Sequence, residues 1–331
     1  LTLFTPFSFF LLALPLLANW PQAAGPNNNY IAAENAQAPA AFSVSTNHNI
    51  RWRAPLPSTG QSSPVVWGTR VFVTSHEAIS ADSETGSMIY GMCFDAATGT
   101  ELWRRELPGA RVTDLSSLFN DNTAAAPVTD GNHVLFMNVG GMMACFDFDG
   151  GLIWKKQWVP FGRHHARAHQ PFLHDGAAVV MRCPRDDFAV EVTTKPGAAK
   201  LGRGREVWTH LMAYDLASGA LRWQAEPGTT VHCVSMPGRL KSGAPAILTG
   251  RGGGHKPPEE PFGLSLLSAV DGSTIWERAV PKYAAAQVAR WNDQHIAAFV
   301  GSDHVRFDPA SGGERAVTSR TRRSGGRRRV R

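Results

Sequence analysis

The stretch "FDAATGTELWRREL", Phe94 to Leu107, returns later in the chain as "YDLASGALRWQAEP" from Tyr214 and as "SAVDGSTIWERAVP" from Ser268. In each copy a glycine stands four residues before a tryptophan: Gly99 and Trp103, Gly219 and Trp223, Gly272 and Trp276. Gly150 and Trp154 make a further copy, and Gly312 heads one in which Ala316 takes the place of the tryptophan. The glycines follow one another at intervals of 40 to 69 residues, a spacing that marks a repeated supersecondary unit.

Upstream of each glycine the text is also alike: an apolar strand, a polar turn, a second strand, and a third that ends near Asp. The first unit reads "SSPVVWGTRVFVTS" and "MIYGMCFDAATG", the second "AAAPVTDGNHVLFMNV" and "GMMACFDFDG", and the third "HQPFLHDGAAVVMRC" and "LMAYDLASG". A polar insert from Pro184 to about Val207 lengthens the third unit. The fourth has "APAILTG" and "LSLLSAVDG" around a loop from Arg251 to Pro261, and the fifth has "AAQVARWNDQHIAAFVG" and "VRFDPASG". Four short strands per unit, joined by Gly, Asp, Asn and Pro turns and without a long amphipathic helix, predict an all-β propeller of four-stranded blades. Asp95 and Asp215 suit the turn before the last strand, because a carboxylate accepts backbone N–H groups two residues on. The tryptophan then opens the outer strand and can bury a large ring against the neighbouring blade.

Composition agrees with one large β domain: 331 residues contain 32 Gly, 22 Pro and 10 Trp. The formal charge of +6 does not describe the domain. Eight Arg and no acid lie within residues 315–331, and without them the balance falls to −2. That segment has no aromatic residue to stack on a base and no apolar period, so 317–331 is expected to be a disordered Arg-rich tail and nucleic acid is not an expected partner. Residues 1–18, "LTLFTPFSFFLLALPLLA", are apolar and uncharged and read as a secretory signal cleaved after Ala18, leaving no membrane span in the mature chain. An extended segment, 19–48, then leads into a propeller over 49–316. Cys93, Cys145, Cys183 and Cys233 allow three disulfide pairings, and none sits at zinc-ligand spacing, so they read as small buried apolar residues.

"CFDAATGTELW", Cys93 to Trp103, and "AYDLASGALRW", Ala213 to Trp223, resemble the tryptophan-docking motif of the pyrroloquinoline quinone (PQQ) propeller repeat, Ala-x-Asp-x-x-Thr-Gly-x-x-x-Trp. "NWPQAAGPNNN", from Asn19, resembles the segment WPQ-x-x-GPN that opens many exported propellers of this superfamily. The resemblance runs from about Asn19 to Ala316 and implies a quinoprotein-like, BamB-like propeller. Such propellers usually carry seven or eight blades. Five are visible here, plus "NIRWRAPL" from Asn49, whose Trp52 stands where the closing strand of an earlier blade would be. By that measure the chain is short by two or three blades, as if truncated.

The resemblance implies two function classes: quinoprotein dehydrogenases that oxidise alcohols or sugars, and non-catalytic scaffolds of the BamB kind. The first needs PQQ beside calcium, held by carboxylate and amide oxygens, with a carboxylate base. Its alcohol-oxidising branch typically carries adjacent cysteines, and no Cys-Cys pair occurs here. Asp95, Asp147, Asp215 and Asp308 belong to the repeat turns, and Asp130, Asp175 and Asp293 to other turns. Asp114, Asp121, Asp186 and Asp187 remain as loop carboxylates, either ligands or solvated.

The most site-like stretch is "FGRHHARAHQPFLHDG", Phe161 to Gly176. Arg163 and Arg167 have the forked donors that bind a carboxylate or phosphate, and His164, His165 and His169 accompany them. No acidic third metal ligand stands nearby at a characteristic spacing, so these five are candidate ligand-binding residues and not a metal site; a solvated polar loop is the alternative. Gly-rich "GRGGGHKPPEEP", from Gly250, cannot act as a phosphate loop, because Pro257 and Pro258 forbid the helix that would follow. The expected function is an exported, periplasmic or extracellular, non-catalytic propeller that binds a protein partner or small ligand at its face. It would use no cofactor. The alternative is a PQQ and calcium dehydrogenase.

Overall fold

The computed structural model describes residues 19–32, 34, 36, 38–77, 85–114, 122–158, 170–182, 210–228, 235–251, 262–280, 288–291, 295–300 and 303–319. They form twenty strands in five four-stranded antiparallel sheets. The first sheet holds β1 (Val65–Trp67), β2 (Arg70–His76), β3 (Thr85–Asp95) and β4 (Glu101–Asp114). The second holds β5 (Val128–Thr129), β6 (His133–Asn138), β7 (Met142–Asp147) and β8 (Leu152–Gln157). The third holds β9 (Phe172–His174), β10 (Ala177–Arg182), β11 (His210–Asp215) and β12 (Leu221–Ala225). The fourth holds β13 (Met236–Arg239), β14 (Pro245–Arg251), β15 (Gly263–Ser268) and β16 (Thr274–Ala279). The fifth holds β17 (Val288–Trp291), β18 (Ile296–Val300), β19 (Asp303–Phe307) and β20 (Glu314–Ser319).

Each sheet is a meander in chain order, and the five share one register. Leu135 faces Cys145, which faces Trp154; Val179, Ala213 and Trp223 line up alike, as do Leu248, Leu266 and Trp276. In the fifth sheet the same row reads Ala297, Arg306 and Ala316. The pairing of third and fourth strands slips directly after that row in every sheet, at Cys93/Phe94, Cys145/Phe146, Ala213/Tyr214, Leu266/Leu267 and Arg306/Phe307. A register shift at this one place in every sheet makes the repeat a structural unit, while the first and fifth sheets carry a second shift elsewhere. The last strand reaches Ser319, so β20 takes in three residues placed by the sequence in the basic tail; 320–331 lie outside the described residues.

Both faces of the middle strands are buried, which is why they read as near-continuous apolar runs. Val134 and Phe136 of β6 pack on Phe72, Ile89 and Trp103 of the first sheet, while Leu135 and Met137 pack on Ala178, Val180 and Met212 of the third. Similar cores join the third sheet to the fourth through Phe172, Leu211, Ile247 and Leu267, and the fourth to the fifth through Leu248, Leu266, Val305 and Phe307. The sheets therefore stack side by side as successive propeller blades. Among the described residues no hydrophobic core joins the fifth sheet to the first, so the five described sheets stand as an arc.

Each of the four interfaces is latched by one indole, and Trp52, ahead of the first sheet, makes the same contact. The Nε1–H of Trp52 donates to Ala96 O, that of Trp103 to Phe148 O, of Trp154 to Leu216 O, of Trp223 to Ala269 O and of Trp276 to Pro309 O, at 2.8 to 3.1 Å. Each acceptor lies in the turn of the next sheet, over the repeat glycine. At Gly272, φ is +75° and an added Cβ would stand 2.7 Å from the Trp223 ring, so the turn accepts only a residue without a side chain.

The inner edges are tied together by the segment after residue 18. Trp20 and Val66 of β1 exchange backbone hydrogen bonds at 2.8 and 2.9 Å, and Pro21 O accepts from Thr129 N of β5 at 2.9 Å. Gln22 Oε1 accepts from Leu173 N of β9 at 2.7 Å, and Asn28 Nδ2 donates to Ser235 O, just before β13, at 2.9 Å. Gln22 and Asn28 are buried. One short segment thus serves four blades, supplying partners to first strands that would otherwise present unpaired groups. Among the described residues no helix is long and apolar enough to cross a membrane.

Candidate functional site

One face of the arc gathers the connections from second to third strands and from one sheet to the next. The sequence-predicted residues Arg163, His164, His165, Arg167 and His169 stand between β8 and β9 in the chain and lie outside the described residues. The ends of that connection are held. Trp158 donates its backbone N–H to Gly141 O at 2.9 Å, and the Arg182 guanidinium lies 4.5 Å above its ring. Gln170 donates through Nε2 to Ala124 O and accepts through Oε1 from Ala126 N, both at 2.8 Å. Asp121, Asp186 and Asp187 also lie outside the described residues, as do Cys183 and Cys233; Asp114 ends β4.

The described part of this face is polar and buried, because strand ends and linkers must find partners for their backbone groups out of water. Ser75 donates to Ser58 O at 3.0 Å and accepts from Ser58 N at 3.2 Å. Thr123 Oγ1 accepts from Gln61 N at 2.7 Å. Asn138 donates to Leu107 O and accepts from Gly140 N, both at 2.7 Å. Further round, Ser235 Oγ bonds Thr249 Oγ1 at 2.9 Å. His210 Nδ1 bonds Gln224 at 2.8 Å, and its Nε2 lies 3.9 Å from Glu226. Arg251, at the end of β14, pairs with Glu277 of β16 at 3.0 Å with little exposure of the guanidinium. These side chains shape the loops; each bond named ends on backbone or on a neighbour in the same sheet or the next.

A quinone beside a hard divalent ion needs several oxygen ligands on one point, with about six to eight around calcium. The described groups of this face do not fit that demand. Glu277 is committed to Arg251, Glu226 is largely turned to solvent, and among the described residues no three His, Cys, Asp or Glu side chains converge. Cys93 and Cys145 are free thiols inside the sheet stack, and burial pushes both up to about 12, so neither is a nucleophile at neutral pH.

The repeat residues sit at the opposite ends of the strands. Asp95 Oδ1 accepts from Ala97 N, Thr98 N and Thr98 Oγ1, and hydrogen bonding from Thr98 holds its carboxyl below the ordinary range. Asp215 and Asp308 make the same turn and add Arg222 and Arg315, whose guanidinium groups hold both carboxyls at about 2. Sequence reading did not find the two arginines. Each stands seven residues after its aspartate, a separation that becomes a contact only through the register of the last hairpin.

The sequence from residue 91 to 330 matches the family model described as outer membrane protein assembly factor BamB. A search of curated proteins finds no match. Among solved structures, BamB from Moraxella catarrhalis is similar over 82% of this chain and 68% of that one, at 14% identity and a TM-score of 0.45. Quinohemoprotein alcohol dehydrogenase ADHIIG from Pseudomonas putida HK5 is similar over 82% of this chain and 43% of that one, at 12% identity and a TM-score of 0.45. The quinohemoprotein alcohol dehydrogenase of Comamonas testosteroni gives 80% and 43%, with the same identity and score of 12% and 0.45. The chain therefore spans less than half the length of either dehydrogenase.

Proposed function

The chain belongs to the PQQ-repeat family described as outer membrane protein assembly factor BamB, and from that membership we propose that it is a non-catalytic propeller that binds protein at the cell envelope. The reading includes export, with residues 1–18 as the signal and 19 onward as the working chain. The observation that carries it is the state of the polar side chains on the loop face. Ser75, Asn138, Ser235 and the Arg251–Glu277 pair are tied to backbone or to one another, an arrangement that holds a contact surface in shape and leaves no described acid poised as a base. Binding through such a surface needs rigid loops more than reactive groups.

The test uses purified full-length chain incubated with PQQ and calcium, followed by quinone absorbance and by dye reduction with ethanol or glucose. No co-eluting quinone and no substrate-dependent reduction are expected. In parallel, a photo-crosslinking residue at Glu226, exposed beside this face, should give a discrete protein adduct in intact cells. Alcohol- or sugar-dependent dye reduction would replace the scaffold reading by the dehydrogenase one, and the absence of any protein adduct would remove it.

A further inference from the structure

Between the third and fourth sheets the packing leaves a cleft of about 430 Å³, within the usual range for small-molecule sites. Its cause is visible in the last residue of each first strand. In the first sheet that residue is Trp67, whose indole covers the Gly131 turn of the second sheet; in the fifth it is Trp291, whose ring lies on Gly238 of the fourth. The corresponding residues of the third and fourth sheets are His174 and Arg239. They line the gap without filling it.

The walls are mixed: Leu173, Val179, Trp223 and Pro245 share the lining with His174, Asp175, Arg222 and Arg239, and Val270 stands at it 71% exposed. Trp223 offers only its ring, since its N–H is committed to Ala269 O at 3.1 Å. Arg222 is a fixed part of the wall, held by Asp215 at 2.7 Å and Asp175 O at 2.6 Å. Arg239 is different. Its Nη1 donates to Gly243 O at 2.9 Å, and no other partner of its guanidinium is seen among the described residues. The half-buried His174 ring beside it has no hydrogen-bond partner there either. Burial pushes the imidazole below its ordinary value, so at neutral pH it is an uncharged donor and Arg239 carries the charge. The Asp175 carboxylate, close enough to act on the same imidazole, works against a second negative charge.

We propose that this cleft binds a small aromatic monocarboxylate. The ring takes the space that an indole occupies at the first and last interfaces, against Trp223 and Val270, and the carboxylate meets the Arg239 fork with His174 as second donor. The site lies at the turn end of the sheets, away from the loop face, and does not depend on the function proposed for that face.

The experiment is a calorimetric titration of the full chain with phenylacetate and, separately, with 2-phenylethylamine. Phenylacetate should bind with one site per chain and the amine should not. Arg239→Gln should weaken phenylacetate by about threefold to fivefold, the loss expected for one exposed charged partner. Val270→Glu, at a position already 71% exposed, should weaken it similarly by adding charge at the opening. No binding of phenylacetate, wild-type affinity in either variant, or tighter binding of the amine would overturn the proposal.

Discussion

Asp215 shows what a single turn carboxylate can hold. Its Oδ1 accepts from Ser218 N at 2.8 Å and Ser218 Oγ at 2.7 Å, while Oδ2 takes Arg222 Nη2 at 2.7 Å. The native carboxyl titrates at about 2 against an ordinary 3.8, so folding favours its charged form. Because the folded value is the lower one, this stabilisation is complete above about pH 4 and is lost as pH falls through 2. Asp215→Asn is therefore expected to lower Tm at pH 7 by about 2 °C, a modest amount because the group is partly solvated. Melts of both proteins across pH 2 to 7 should converge at the acid end. A gap independent of pH would mean that the turn depends on shape and not on charge.

At the level of strands, the interface between the third and fourth sheets rests on Trp223 over Gly272. Trp223→Ala removes a buried ring and orphans Ala269 O, and should cost about 3–5 kcal/mol in denaturant unfolding. Gly272→Ala leaves every contact atom in place but forces a Cβ against the ring at positive φ, and should cost more than the ~1 kcal/mol of an ordinary strained glycine. If both were near neutral, the interface would be held by Leu211, Ile247 and Leu267 alone. The strands and their order were legible because short apolar runs bounded by turn residues and a glycine four residues before an indole are local signals. The loop face was not. Its buried pairs, such as Arg251 with Glu277 and His210 with Gln224, join strands whose register no local pattern states, and the five predicted ligand residues lie outside the described chain. The cleft escaped for a related reason: a missing indole at His174 is visible only beside Trp67 and Trp291 in space.

Over the whole molecule, no core among the described residues joins the fifth sheet to the first, so the inner segment 19–30 matters more than its length suggests. Asn28→Ala would remove the hydrogen bond to Ser235 O, just before β13, and should lower stability by about 1 kcal/mol. Hydrogen exchange gives a sharper readout: the amides of Thr129 and Leu173, which bond Pro21 and Gln22, should lose protection together in a variant lacking residues 19–30. Unchanged protection would show that the blades hold their spacing unaided. Partners of this segment include Val66, Gly68, Thr129, Leu173 and Ser235, so its anchors are spread along the chain as far as residue 235. A ribosome delivers them one after another. The earliest residues of the domain are thus among the last to reach their final place, and until Ser235 has emerged the nascent chain must carry its own keystone unset.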